Sequence, residues 1–330
     1  MILAQIDKAA DDTQHWEVLA PKGVDRPDWL TNVGFRTVGT TNGHIWEQTA
    51  LYRASRRGRL VNLCNSGPIL HSRSLTVLHD AWVFRHPDHF SLPYRIFHQS
   101  LDRMLARRSR IATVSHFSRS ELADVLGIDP AKISVVPNAA NHIDVIVPDR
   151  AVVDRLGLTG RRYLLLVGSF ARNKNMRRAI EAFTTVARPE ERLVIVGAAV
   201  GVFADSGMAA LPDTVFRAGR VKDDDLVALY MQARALVFPS LYEGFGIPPL
   251  EAMRLGVPVI ASNIGPVTEV CGDAALYFDP LDVEAMGTAM RAILDDDALH
   301  SSLCARALTR ADAFSWDVSS RLLRRSIDDL

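Results

Sequence analysis

Only three cysteines, Cys64, Cys271 and Cys304, occur along the chain, and no pair has CxxC spacing. That excludes a zinc-thiolate cluster and a disulfide framework, and the three read as buried thiols in a reducing compartment. No apolar run reaches the roughly 20 residues needed to cross a bilayer. The first residues lack the signal-peptide pattern, so the expected location is the cytoplasm. Repeats of solenoid period and low-complexity tracts are also missing, which excludes a repeat array. Net charge is absent too, with 38 Lys and Arg against 38 Asp and Glu. Residues 1–148 carry 17 basic against 14 acidic side chains and nine of the ten histidines, while residues 149–330 carry 21 against 24. So mild an asymmetry suits an anionic surface partner better than nucleic acid, which wants a far more basic domain.

What is present is an alternation. Short runs rich in Val, Ile and Leu predict strands at 16–20, 60–64, 75–79, 111–115 and 133–137, with helices at 44–57, 93–108 and 117–126. A cluster of Asn, Asp, Pro and Gly follows near 141–160. The alternation then resumes, with strands predicted at 163–169, 192–197, 235–239, 257–262 and 275–279 and helices between them. Continuous apolar strands bounded by Gly, Pro and helices predict parallel sheets covered on both faces. Two such series predict an α/β protein of two doubly wound, Rossmann-like domains facing a cleft, with ligands at the carboxyl ends of strands.

Four stretches carry polar residues just after predicted strands. In "ALVFPSLYEGFGIPPLEAMRLG" (235–256) a loop carboxylate, Glu243, precedes a second, Glu251, by eight residues. Pro248 and Pro249 suit a helix start, and Gly256 suits the left-handed position after its end. Gly244 and Gly246 let the backbone approach a ligand, and the free N–H groups of a helix start favour an anion such as phosphate. An ionised carboxylate only accepts hydrogen bonds, so sugar hydroxyls are its natural partners. The bland reading of Glu251 is that it complements the helix dipole. In "YLLLVGSFARNKN" (163–175) the strand ends in Gly168 and Ser169, and Arg172 and Lys174 follow, a fork and a point charge that fit a diphosphate or an ordinary solvated loop. Asp223 to Asp225 in "FRAGRVKDDDLVALY" (216–230) read as acidic residues at a helix start rather than metal ligands. In "TVLHDAWVFRHPDHF" (76–90), His79 and Asp80 end a strand, and His86 and His89 lie in a loop without the further ligands a zinc site needs.

These stretches together resemble the retaining glycosyltransferases of family 4, with the two-domain GT-B architecture. "EGFGIPPLEAMRLGVPVIAS" (243–262) resembles the family's Glu-x7-Glu motif, "VGSFARNKN" its basic loop, "FRAGRVKDDDL" its nucleobase loop and "TVLHD" its first-domain His-Asp. "GPVTEVCGDAALYFDP" (265–280) resembles the segment after the Glu-x7-Glu helix. The resemblance implies an N-terminal acceptor-side domain over 1–148, a nucleotide-sugar domain over 149–312 and a terminal helix, 313–330, crossing back to the first. It implies that Glu251 accepts from ribose hydroxyls and Glu243 from a hydroxyl of the transferred sugar. Arg172 and Lys174 would neutralise the leaving diphosphate, and His79 would lie near the sugar. Val221 would frame the base, while Gly168, Ser169, Gly244, Phe245, Gly246 and Ile247 would line the donor site. No metal or other cofactor is implied, because fixed cations and helix amides meet the developing charge. A front-face mechanism is implied, with the donor phosphate as base.

The motif style is most similar to bacterial mannosyltransferases of exopolysaccharide or lipopolysaccharide synthesis. That implies mannose from GDP-mannose as donor and a saccharide or polyprenyl-linked acceptor. The arginine-rich stretches 52–59 and 102–110 suit anionic headgroups at the inner membrane face as well as they suit solvent. The chain departs from the family pattern in three places. It has Ala139 where Gly is usual and Ser169 where some members carry Arg. Residues 1–12 contain no Gly and read as the tail of a helix, with 16–20 as the second strand, so the usual first strand and glycine loop look missing. The expectation drawn is a truncated reading frame with low activity. Two other readings stay open, a catalytically impaired GT-B partner subunit and a sugar-nucleotide epimerase.

Overall fold

The computed structural model describes residues 1–10, 14–197 and 211–330, so the last two of residues 1–12 lie outside the described residues. The chain divides into two compact units, Met1–Asn138 with Ser315–Leu330, and Ala139–Phe314. The division falls before the Asn- and Pro-rich stretch rather than after residue 148.

The first unit opens with α1 (Ile2–Lys8), β1 (Glu17–Ala20) and β2 (Gly34–Thr37). A helical stretch follows as α2 (Gly43–Trp46), a π-turn (Glu47–Leu51) and α3 (Tyr52–Ser55). Then come β3 (Leu60–Asn62), β4 (Ser74–Val77), α4 (Trp82–Arg85), α5 (Leu92–Arg108), β5 (Arg110–Thr113), α6 (His116–Leu126) and β6 (Ile133–Val135). All strand pairs are parallel, but they form two sheets, β1-β2 and β3-β4-β5-β6. Leu101 and Leu105 of α5 and Leu122 of α6 bury against Leu78, Ile111 and Ile133. Ser115 caps α6 by accepting from the Ser118 amide, and Gly127 ends it at φ 66°.

Asp7 of α1 organises the segment before β2. Its carboxylate accepts from the backbone amides of Thr31, Asn32 (2.8 Å) and Val33 (2.7 Å) and from the Thr31 hydroxyl. Burial alone would raise its pKa, but these bonds outweigh it and hold the carboxyl at about 2.

The second unit contains α7 (Ala151–Arg155), β7 (Tyr163–Val167), α8 (Met176–Val186), β8 (Arg192–Val196), β9 (Val215–Gly219), α9 (Asp223–Gln232) and β10 (Ala235–Phe238). It continues with α10 (Ile247–Arg254), β11 (Val259–Ser262), α11 (Gly265–Cys271), β12 (Ala275–Phe278), α12 (Val283–Asp295) and α13 (Asp297–Ala311). One parallel sheet runs β12-β11-β10-β7-β8-β9, and the order turns at β7 and β10, where such sheets place ligands. Leu164, Leu166, Leu193, Val237 and Ile260 make its strands apolar throughout, and α8 and α12 cover them with Phe183, Met290 and Ile293. At the ends of β7 and β8 the backbones nearly touch: a Cβ on Gly197, at φ 145°, would lie 1.9 Å from the Gly168 carbonyl oxygen. α14 (Trp316–Asp328) returns to the first unit, packs on α1 and sends the Ser319 hydroxyl to the Pro137 carbonyl at 2.5 Å.

Two strands escaped the sequence reading. β2, "GFRT", begins on Gly and exposes Arg36 and Thr37, and β9, "VFRAG", carries Arg217 on an edge. The three cysteines are not all buried: Cys64 is exposed and Cys304 half-buried, while burial pushes the Cys271 thiol up to about 12. Cys64 is exposed because β3 stops at Asn62 and the chain turns at Asn65, φ 51°. No helix among the described residues is long and apolar enough to cross a membrane.

Candidate active site

The second unit assembles its polar residues at the carboxyl ends of β7 and β10. After β7 the chain passes Gly168 and Ser169 into a single 3-10 turn, Arg172–Lys174, closed by Asn175 in the left-handed region at φ 53°. Asn173 is buried and ties this turn to the loop after β10. Its carbonyl accepts from the Leu241 amide at 2.7 Å, and its side chain donates to the Tyr242 carbonyl at 3.2 Å. The tie leaves Arg172 exposed and directs Lys174 inward.

Lys174 Nζ lies 2.6 Å from Glu243 Oε1, which also accepts from the Ser240 hydroxyl at 2.7 Å. Both charged side chains are largely shielded, at 22% and 14% exposure, and the ammonium sits 5.6 Å from the centre of the Phe238 ring. The two residues given separate tasks in the sequence, one for phosphate and one for sugar, are one ion pair here. A carboxylate so neutralised is a poor nucleophile and a good positioned acceptor.

Gly246 precedes α10 at φ 119°, a conformation that L side chains rarely adopt. Phe245 is buried edge-on against Phe314, which fixes the loop, while Ile247 is exposed at the first position of the helix. Pro248 and Pro249 have no N–H, so the helix start offers an anion fewer amides than an ordinary first turn. Glu251, on α10, accepts from the Tyr230 hydroxyl at 3.1 Å and faces His142 Nε2 at 3.4 Å. Burial first, and the nearby Glu251 carboxylate second, raise the Tyr230 pKa well above its ordinary value, so Tyr230 stays a donor. A buried hydroxyl donor and a neighbouring imidazole on one carboxylate go beyond dipole complementation.

Val221 lies in the loop between β9 and α9, one residue before the helix cap Lys222. Asp223 to Asp225 form the first turn of α9, and Asp225 pairs with Arg155. In the first unit, His79 follows β4. Its Nε2 donates to the Leu63 carbonyl at 2.8 Å, and its amide donates to Asn65 Oδ1 at 2.7 Å. The neighbouring Cys64 thiol raises its pKa, against the opposite pull of burial. His86, Asp88 and His89 bring their donor atoms within 4.8 Å of one another, closer than the sequence suggested. The two imidazoles stack at 5.3 Å.

Ser240, Asn173, Tyr230 and His142 were not singled out from the sequence. Ser240 carries a local signal, three residues before Glu243 in the same loop, whereas the others meet the site only through the fold.

Residues 44–142 match the family described as Glycosyltransferase Family 4, and residues 153–310 match Glycosyl transferases group 1. O-antigen chain mannosyltransferase B of Escherichia coli is 34% identical over 257 residues, covering 74% of this chain and 67% of that protein. O-antigen chain mannosyltransferase RfbU of Salmonella typhimurium strain LT2 is 31% identical over 230 residues, covering 68% of this chain and 62% of that protein. Among solved structures, Anabaena Alr3699/HepE in complex with UDP and glucose matches with a TM-score of 0.77 at 17% identity, over 100% of this chain and 95% of that one. The fold is thus the GT-B fold, and the chain belongs to the family 4, group 1 glycosyltransferases. It spans about two thirds of the length of the two mannosyltransferases.

Proposed function

We propose that the chain transfers a hexose with retention from a nucleotide sugar, with mannose from GDP-mannose as donor, to a saccharide or polyprenyl-linked acceptor of cell-surface polysaccharide. The names of the two mannosyltransferases support the sugar and the pathway class. The observation that carries the chemistry is the Lys174–Glu243–Ser240 group beside the Gly246 turn, at the switch point of the sheet.

In this reading Glu251, held by Tyr230 and His142, accepts from the ribose hydroxyls. Glu243 accepts from a sugar hydroxyl while Lys174 stays within reach of the diphosphate. As the bond from the anomeric carbon to phosphate breaks, negative charge grows on the leaving oxygen. In this reading Lys174, Arg172 and the Gly246 and Ile247 amides meet it, and such preorganised charge is usually the largest catalytic contribution. The acceptor oxygen attacks from the same face and its proton passes to the leaving phosphate oxygen. Val221 frames the base. No metal or cofactor is needed in this scheme. The acceptor's lipid brings the protein to the inner membrane face as a peripheral partner.

GDP-, UDP- and dTDP-sugars, each followed for nucleotide release with and without a chelator, test this. The expected outcome is release from GDP-mannose unaffected by chelation. If chelation abolished release and a divalent ion restored it, the metal-free scheme would be wrong.

A further inference from the structure

His86 and His89 stand three residues apart in sequence, and the fold turns that spacing into contact. Pro87–His89 is a single 3-10 turn capped by His86, closed by the His89 amide on the His86 carbonyl at 3.1 Å. Side chains three apart eclipse in a 3-10 turn. The two imidazoles accordingly stack, with ring centres 5.3 Å apart. Pro87 fixes φ at the first position of the turn. Asp88, between the histidines, sets its Oδ2 3.7 Å from His89 Nε2. One ligand atom from each of the three residues then lies within 4.8 Å of the other two.

The surroundings favour a cation there. His89 Nδ1 is buried and makes no hydrogen bond. A buried polar atom of that kind is where an ion or an ordered water belongs. The His89 side chain is only 15% exposed and sits edge-on to Trp82 at 5.8 Å, whereas Asp88 is 75% exposed. The cluster therefore has a fixed aromatic wall on one side and an open approach on the other. Arg85, the nearest cation in sequence, is held by Glu121 and Asp124 of α6.

The donor set selects the ion. Calcium and magnesium want a shell of oxygens, while two imidazoles and one carboxylate suit zinc. Zinc takes such ligands at about 2.0–2.2 Å, so neighbouring ligand atoms of its tetrahedron stand about 3.3–3.5 Å apart. The Asp88–His89 separation is already close to that. Three protein ligands leave the fourth position to water.

We propose that His86, Asp88 and His89 bind one zinc ion, with water completing the tetrahedron, and that the ion fastens the chain between α4 and α5. α4 is four residues long, too short to hold its own conformation, and this segment leads from His79 and Asp80 into α5. The site belongs to the first unit and takes no part in the transfer chemistry assigned to the second.

Zinc chloride titrated by calorimetry into the metal-stripped chain, in a buffer that does not coordinate metal, is the test. Saturable binding of one ion per chain is expected, with a rise in melting temperature by mass action. His86→Ala, His89→Ala and Asp88→Asn should each weaken binding about tenfold or more and lose that rise. Asp88 is exposed, so its variant serves if a histidine variant fails to fold. The rival site is the Cys304 thiol beside His300, at 3.7 Å in the second unit. His300→Ala should leave binding unchanged. Cobalt(II) in place of zinc should give the visible bands of a four-coordinate ion without a sulfur-to-metal charge-transfer band. No saturable binding, equal binding by the Asp88 and histidine variants, or a charge-transfer band overturns the proposal. GDP-mannose binding, measured on the same samples, should not respond to zinc. A response of equal size in the unsubstituted chain and in His86→Ala would put the ion at the donor site and overturn it too.

Discussion

The two carboxylates of the Glu-x7-Glu motif sit in different surroundings, so their removal should have different effects. Glu243 is paired with Lys174 and Glu251 with Tyr230. Glu243→Gln should keep nucleotide affinity within a few-fold while transfer falls by about 10²–10³, as on losing one transition-state contact. Glu251→Gln should weaken nucleotide binding about tenfold, read by calorimetry. Glutamine is the better probe at 251, because alanine would strand the buried Tyr230 hydroxyl at a cost of about 1–3 kcal/mol. Equal loss of nucleotide affinity in both variants would contradict the assignment. The carboxylates were legible because proline, glycine and acid occur in a spaced local string. Tyr230 and His142 were not, because they reach Glu251 from distant parts of the chain and carry no local pattern.

At the level of elements, the apolar strands announced themselves through Val, Ile and Leu, as in β7, β8, β10 and β11. β2 did not, since a strand of Gly, Phe, Arg and Thr has neither an apolar run nor alternation. The π-turn inside the 43–55 helical stretch was equally silent. Where elements meet closely, single substitutions should be costly. Gly197→Ala would force a Cβ into the Gly168 carbonyl at a positive φ, with a strain of about 1–3 kcal/mol before the clash is counted. The second unit should therefore melt several degrees lower, measurable by calorimetric scanning, and an unchanged melting profile would contradict the close approach. Gly246→Ala carries the same backbone strain without a close contact, so it should lower donor affinity more than stability.

Across the whole molecule, two α/β units with parallel sheets were legible, because two series of apolar strands are separated by a break in pattern. The position of the break was less so: composition marks the Asn- and Pro-rich stretch, whereas packing divides the chain at Asn138. The first unit depends on both ends of its chain. Leu323 of α14 is fully buried, and Leu323→Ala should destabilise that unit by about 2–5 kcal/mol and leave donor binding intact. The Asp7 carboxyl, held at about 2, adds stability above its unfolded pKa of 3.8 that is lost as pH falls toward 2. Asp7→Asn should flatten that acid limb in denaturant melts taken across this pH range. The opposite shift at Asp102, up to about 7, makes its burial cost grow as pH rises from 3.8 through 7.

The central claim is that the second unit holds a nucleotide sugar through Lys174 and its partners without a metal. Calorimetric titration of GDP-mannose into the chain and into Lys174→Ala, both in chelator, tests it most directly. The account predicts saturable binding that is weakened about tenfold or more in the variant. Absence of binding by the unsubstituted chain, or equal binding by the two, would contradict it.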